Sequence, residues 1–106
     1  MPDETPLLVF VSCPPAVASA LAGALVERRL AACVSELPGM RSVYRWKDAV
    51  ECSEESLLLI KTSAARYAEL QAAVLGGHPY ELPEIIALNI VDGLPAYLAW
   101  LTESVH

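Results

Sequence analysis

The chain reads as an α+β fold, with one antiparallel sheet carrying its helices on a single face. Three observations predict it. Strand-length apolar runs alternate with segments whose larger apolar residues recur every four positions. The order is βαββαβ with one more helix at the end, so the chain echoes itself as two split βαβ halves. Between the halves, two long extended stretches meet at Lys47-Asp48, a hairpin tip.

Each element has its own warrant. Leu7 to Ser12 is an apolar run of strand length, β1. Pro14-Pro15 then suits the first turn of a helix. Val17, Leu21 and Leu25 share one face of that helix, α1, which ends near Arg29. Its alanines (Ala16, Ala18, Ala20, Ala22) favour helix and let it sit close to a sheet. Ala32 to Trp46 is extended (β2), with Pro38-Gly39 marking a bulge. Val50 to Thr62 returns as β3, and its second half, Leu57-Leu58-Leu59-Ile60, belongs at the centre of the sheet. Ser63 is placed to cap α2, on which Tyr67, Leu70 and Val74 share a face and which Gly76-Gly77 ends. Pro83 to Val91 is β4, with Ile85 to Leu88 as a buried strand. Gly93 and Pro95 open α3, which carries Tyr97, Leu98, Trp100, Leu101 and Val105. The topology is that of a ferredoxin-like sandwich.

Bulk properties narrow the function. A chain of 106 residues makes one domain, residues 1–106. Its apolar fraction of 55% exceeds what so small a core needs, so part of that surface is expected between subunits. The long β2–β3 hairpin overhangs the helices and exposes Tyr44, Trp46 and Val50. Such an edge needs a cover, and a closed ring of copies supplies one. A net charge of −6 without any basic run argues against nucleic-acid binding. No apolar run approaches the roughly 20 residues of a spanning helix, so no membrane role is expected. Cys13, Cys33 and Cys52 are odd in number and lack CxxC spacing. With no basic region at Pro2-Asp3-Glu4, the expected compartment is the cytoplasm, with reduced thiols.

The densest chemistry lies in His78-Pro79-Tyr80-Glu81-Leu82-Pro83-Glu84. A histidine, a phenol and two carboxylates stand there on backbone that two prolines stiffen. His78 is the leading candidate metal ligand, since imidazole suits copper and zinc, although a histidine after Gly76-Gly77 could equally serve as a cap or an inter-subunit contact. Cys33 is the second, because thiolate suits soft or borderline ions, although a free cysteine is often only a small buried hydrophobe. Glu81 and Glu84 could add oxygen ligands or pair with Lys61 or an arginine across an interface. Cys52, on the outer hairpin, is read as incidental. Tyr44, Trp46, Tyr80, Tyr97 and Trp100 suit packing at interfaces. Arg45 and Lys61 could line a cleft that holds an anion. There is no Gly-rich phosphate loop, GxSxG, HExxH or EF-hand pattern, so no nucleotide cofactor is indicated.

Six motifs in order resemble the CutA divalent-cation-tolerance family. They are Leu30-Ala31-Ala32-Cys33-Val34, Leu37-Pro38-Gly39, Ser42-Val43-Tyr44-Arg45-Trp46, Leu59-Ile60-Lys61-Thr62, the His78 to Ile85 stretch, and Tyr97-Leu98-Ala99-Trp100. The resemblance implies a homotrimer similar to the PII signalling proteins, cytoplasmic and non-enzymatic. It implies binding of divalent metals, Cu2+ above all with Zn2+ as the alternative, and it makes Cys13, Cys33 and His78 the positions to consider. The alternative function is a trimeric sensor of a small ligand, or an interaction protein, with incidental metal binding. A protein partner is compatible with either. Two positions depart from the family pattern: Ser35 stands where asparagine is usual, and Asp48 where glycine is usual at the hairpin tip.

Overall fold

The computed structural model describes residues 3–106. The element order is β1 (Pro6–Cys13), α1 (Pro15–Glu27), β2 (Cys33–Trp46), β3 (Ala49–Ser63), a 3-10 turn (Ala64–Arg66), α2 (Tyr67–Gly77), β4 (Ile85–Asn89) and α3 (Pro95–Ser104). The four strands form one antiparallel sheet in the order β2-β3-β1-β4. This is the expected ferredoxin-like arrangement, with Leu57 to Ile60 on a central strand.

Strand alternation sets the core. Val9, Val11, Leu58 and Ile60 point to the helices and are buried against Ala18, Leu21 and Leu25 of α1 and Leu70 and Val74 of α2. Leu8, Phe10, Leu57 and Leu59 take the opposite phase and are only half-buried. On β4 the expectation of a buried strand fails. Ile86 and Leu88 are 49% and 46% exposed, because β4 is an edge strand and the sheet face away from α1 and α2 is largely uncovered.

The start of α2 also differs from expectation. Ser63 makes no capping hydrogen bond and remains in the ladder opposite Pro6. The next N–H groups are satisfied by backbone instead: Ala64 donates to the Thr5 carbonyl at 2.9 Å and Ala65 to that of Asp3 at 2.8 Å. A 3-10 turn therefore precedes the helix.

The β2–β3 arm shapes the molecule. Beyond the Cys13–Ser56 pair, β3 has no β1 neighbour, and the rest of the hairpin projects as two strands. The chain is accordingly elongated, 44 × 25 × 23 Å. Gly39, at φ +75°, sits in the expected bulge, where the register shifts between Leu37 and Met40. At the tip, Lys47 and Asp48 both adopt positive φ (49° and 65°) and join Trp46 to its cross-strand partner Ala49. Two such residues match the right-handed twist of the flanking strands.

Candidate functional site

The site grows from the end of α2. Gly77 lets the helix close on α1, since a Cβ there would stand 3.3 Å from Leu21 Cδ1. His78 follows in extended conformation and lies buried over the end of β1. Its Nε2 is 2.8 Å from the Ser12 carbonyl oxygen, and its Nδ1 is 3.2 Å from the Tyr80 backbone nitrogen. A carbonyl can only accept and a backbone N–H can only donate. The ring is therefore the neutral Nε2–H tautomer, with both nitrogens committed. The Tyr80 ring packs on it with centroids 4.7 Å apart, and the Tyr80 hydroxyl donates to Glu55 Oε2 at 3.0 Å. The loop is thus stapled to β1 through one residue and to β3 through another.

Between this loop and the arm lies a cleft of about 700 Å³. Tyr44, Trp46 and Tyr80 provide its aromatic walls, and Glu55, Glu81, Glu84 and Arg45 its charges. Burial and the Glu55 contact push the Tyr80 phenol up to about 12. Close by, Glu36 Oε2 accepts from the Ser56 hydroxyl at 2.8 Å. Burial, then Glu36 and Glu55, push the fully buried Cys13 thiol up as well.

The four metal-ligand candidates do not converge within one chain. Cys13 pairs with Ser56 and Cys33 with Lys61, five positions apart along β3, or roughly 17 Å at about 3.3 Å per residue. The two cysteines also take opposite phases of the strand, so they lie on opposite faces and do not share a rim. His78 sits near Cys13, behind the cleft wall, while Glu81 is exposed at the cleft itself. Among the described residues, no three His, Cys, Asp or Glu side chains gather as an ion would require.

Cys33 has a different setting. Its Sγ is 3.9 Å from Ser35 Oγ, and Lys61 Nζ donates to that same hydroxyl at 3.1 Å. The serine at this position thus still makes a polar bridge. Lys61 therefore works there, away from the cleft, whereas Arg45 does line it. Tyr97 is raised by burial and by nearby Cys33, which places it and Trp100 (rings 5.5 Å apart) at the Cys33 end of the sheet. Neither belongs to the cleft. Cys52 is exposed on the arm, with Arg41 Nε 3.2 Å from its sulfur.

Glu55 was missed by sequence reasoning. The available signal was phase: Glu55 falls two residues before Leu57 and four before Leu59, a carboxylate where the alternation calls for an apolar side chain.

These features define an α+β protein of the ferredoxin-like class, with a protruding hairpin and a carboxylate-lined, aromatic cleft at its base. Comparison with known proteins narrows the class. The family model described as CutA1 divalent ion tolerance protein matches residues 7–104. The chain belongs to that family. It is 49% identical over 88 residues to the divalent-cation tolerance protein CutA of Thermus thermophilus, covering 83% of this chain and 85% of that one. It is 46% identical over 100 residues to protein CutA of Mus musculus, covering 91% of this chain but 56% of the mouse protein, which is much longer. The solved structure of the Thermus thermophilus divalent cation tolerance protein superposes with a TM-score of 0.93 at 44% identity, over 95% of this chain and 99% of that one. The PII-like protein CutA of Nostoc, in apo form, superposes at 0.89 with 29% identity, over 94% and 97%.

Proposed function

We propose that this protein serves divalent-cation tolerance by binding a transition metal as a homotrimer, with copper favoured over zinc by the general affinity order of divalent ions. The observation that supports the reading is that His78 is held on Ser12, next to Cys13 at the end of β1, while the neighbouring cleft is lined by Glu55 and Glu81. Glu55 is near enough to Cys13 to help raise its thiol, although the two take opposite faces of the sheet. Because no three donors gather among the described residues of one chain, the ion draws on a second copy, or on a His78 Nδ1 freed from the Tyr80 N–H. Cys33, at the far end of the sheet, would serve a separate contact. The uncovered sheet face, with Ile86 and Leu88 exposed, supports assembly. The three unpaired cysteines suit a reducing compartment, and we assign the protein to the cytoplasm.

Calorimetric titration of the reduced protein with Cu(II) tests this reading. Saturable binding that weakens in His78→Ala and Cys13→Ser is expected. Equal binding in the parent and in His78→Ala, Cys13→Ser and Cys33→Ser would overturn it. A second reading, sensing of a small ligand with incidental metal binding, is favoured by the volume of the cleft.

A further inference from the structure

We propose that the cleft at the base of the arm is a site for a primary alkylammonium ligand with an apolar body. The ammonium would sit on Glu55, and the body between Tyr44, Trp46 and Tyr80. The inference deepens the small-ligand reading and does not depend on the metal.

Glu55 is the anchor. Its side chain is only 5% exposed, yet no cation of the chain pairs with it among the described residues. Oε2 accepts from the Tyr80 hydroxyl, and Oε1 has no partner among the described residues. Among those residues no fully buried polar side-chain atom lacks a partner, so Oε1 reaches solvent, and Glu55 lines the cleft. A nearly buried carboxylate with one oxygen open to a cavity is an acceptor waiting for a charged donor. An ammonium there would exchange the hydration of one oxygen for a charge-assisted hydrogen bond.

The walls select the ligand's chemistry. With Glu55, Glu81 and Glu84 against Arg45, the lining carries a net negative charge, which opposes the anion expected from sequence. Tyr44, Trp46 and Tyr80 line the cleft, and aromatic rings attract cations through their quadrupoles and bind an apolar body through their area. The arm already shows this preference. The Lys47 ammonium lies over the Trp46 ring, 5.6 Å from its centroid. A primary ammonium suits Glu55 better than a quaternary one, because only the former can donate a hydrogen bond to Oε1. A volume of about 700 Å³ is ample for a small organic amine.

The test uses the assembled full-length chain in the presence of a chelator, so that metal binding does not enter. Benzylammonium, benzyl alcohol and benzoate share one body and differ in charge. Calorimetry is expected to show saturable binding of benzylammonium, at least about tenfold weaker binding of benzyl alcohol, and no binding of benzoate. In Glu55→Gln, which keeps an acceptor for Tyr80, benzylammonium affinity falls at least about tenfold, the loss expected when a charged hydrogen-bond partner goes. Comparable affinity for amine and alcohol overturns the proposal, as does undiminished binding in a folded Glu55→Gln or a lack of benzylammonium binding at millimolar concentration. The three-ligand comparison on the parent protein decides the matter even if the variant misfolds. Loss of copper binding in His78→Ala leaves these readouts untouched, so failure of one reading is separable from failure of the other.

Discussion

At the scale of the residue, His78 shows how a chain can spend both nitrogens of an imidazole on its own backbone. The Ser12 carbonyl and the Tyr80 N–H hold it between them. Any ion that takes Nδ1 must first break the second bond and loosen the loop. Tyr80 titrates with consequences for folding. Its phenol is raised to about 12, above the usual value of 10.0, so the folded state favours the neutral form. That contribution to stability is complete below pH 10.0 and is lost as the pH climbs toward 12. Denaturant midpoints measured across this range should fall more steeply for the parent than for Tyr80→Phe. Part of the decline should persist in the variant, because Tyr97 is raised too. Identical alkaline profiles for the two proteins would show that burial and the Glu55 contact do not raise Tyr80.

At the scale of the element, the hairpin tip stores strain. Lys47 and Asp48 both occupy the left-handed region, which costs an L-residue with a Cβ roughly 1–2 kcal/mol. Glycine there removes the clash but adds freedom to the unfolded chain, an offset of about 0.4–1 kcal/mol. Asp48→Gly is therefore expected to stabilise by about 0.5–1 kcal/mol, read as a higher urea midpoint at unchanged slope. A lower midpoint would mean that the aspartate side chain contributes more than its backbone costs. The bulge at Gly39 was legible because Pro38-Gly39 interrupts an otherwise extended run. The 3-10 turn before α2 was not, because the groups that satisfy Ala64 and Ala65 are carbonyls of Thr5 and Asp3, about sixty residues earlier in the chain.

At the scale of the whole molecule, an apolar sheet face and a two-stranded arm are left uncovered by their own chain. Ile86, Leu88 and Leu37 are about half exposed, and Val43 and Val50 more so. The proposed trimer buries such surface. Leu88→Asp should cost each interface about 2 kcal/mol or more, through lost apolar burial and an unpaired carboxylate. Sedimentation velocity should show smaller species at dilutions where the parent stays associated. A variant that assembles as tightly as the parent would move the contact away from β4.

Sequence alone determined the strand and helix order, the bulge, the hairpin tip and the core faces of α1 and α2. Each rests on short-range periodicity and on the backbone limits of proline and glycine. It also placed the histidine loop at the entrance of β4. Only the tertiary structure decided what that loop does. Register along β3 separates Cys13 from Cys33, while packing commits His78 to Ser12 and draws Glu55, through Tyr80, into the wall of a cleft. The two side-chain contacts join residues 66 and 25 positions apart. Local pattern carries no information about which distant strand will supply the partner.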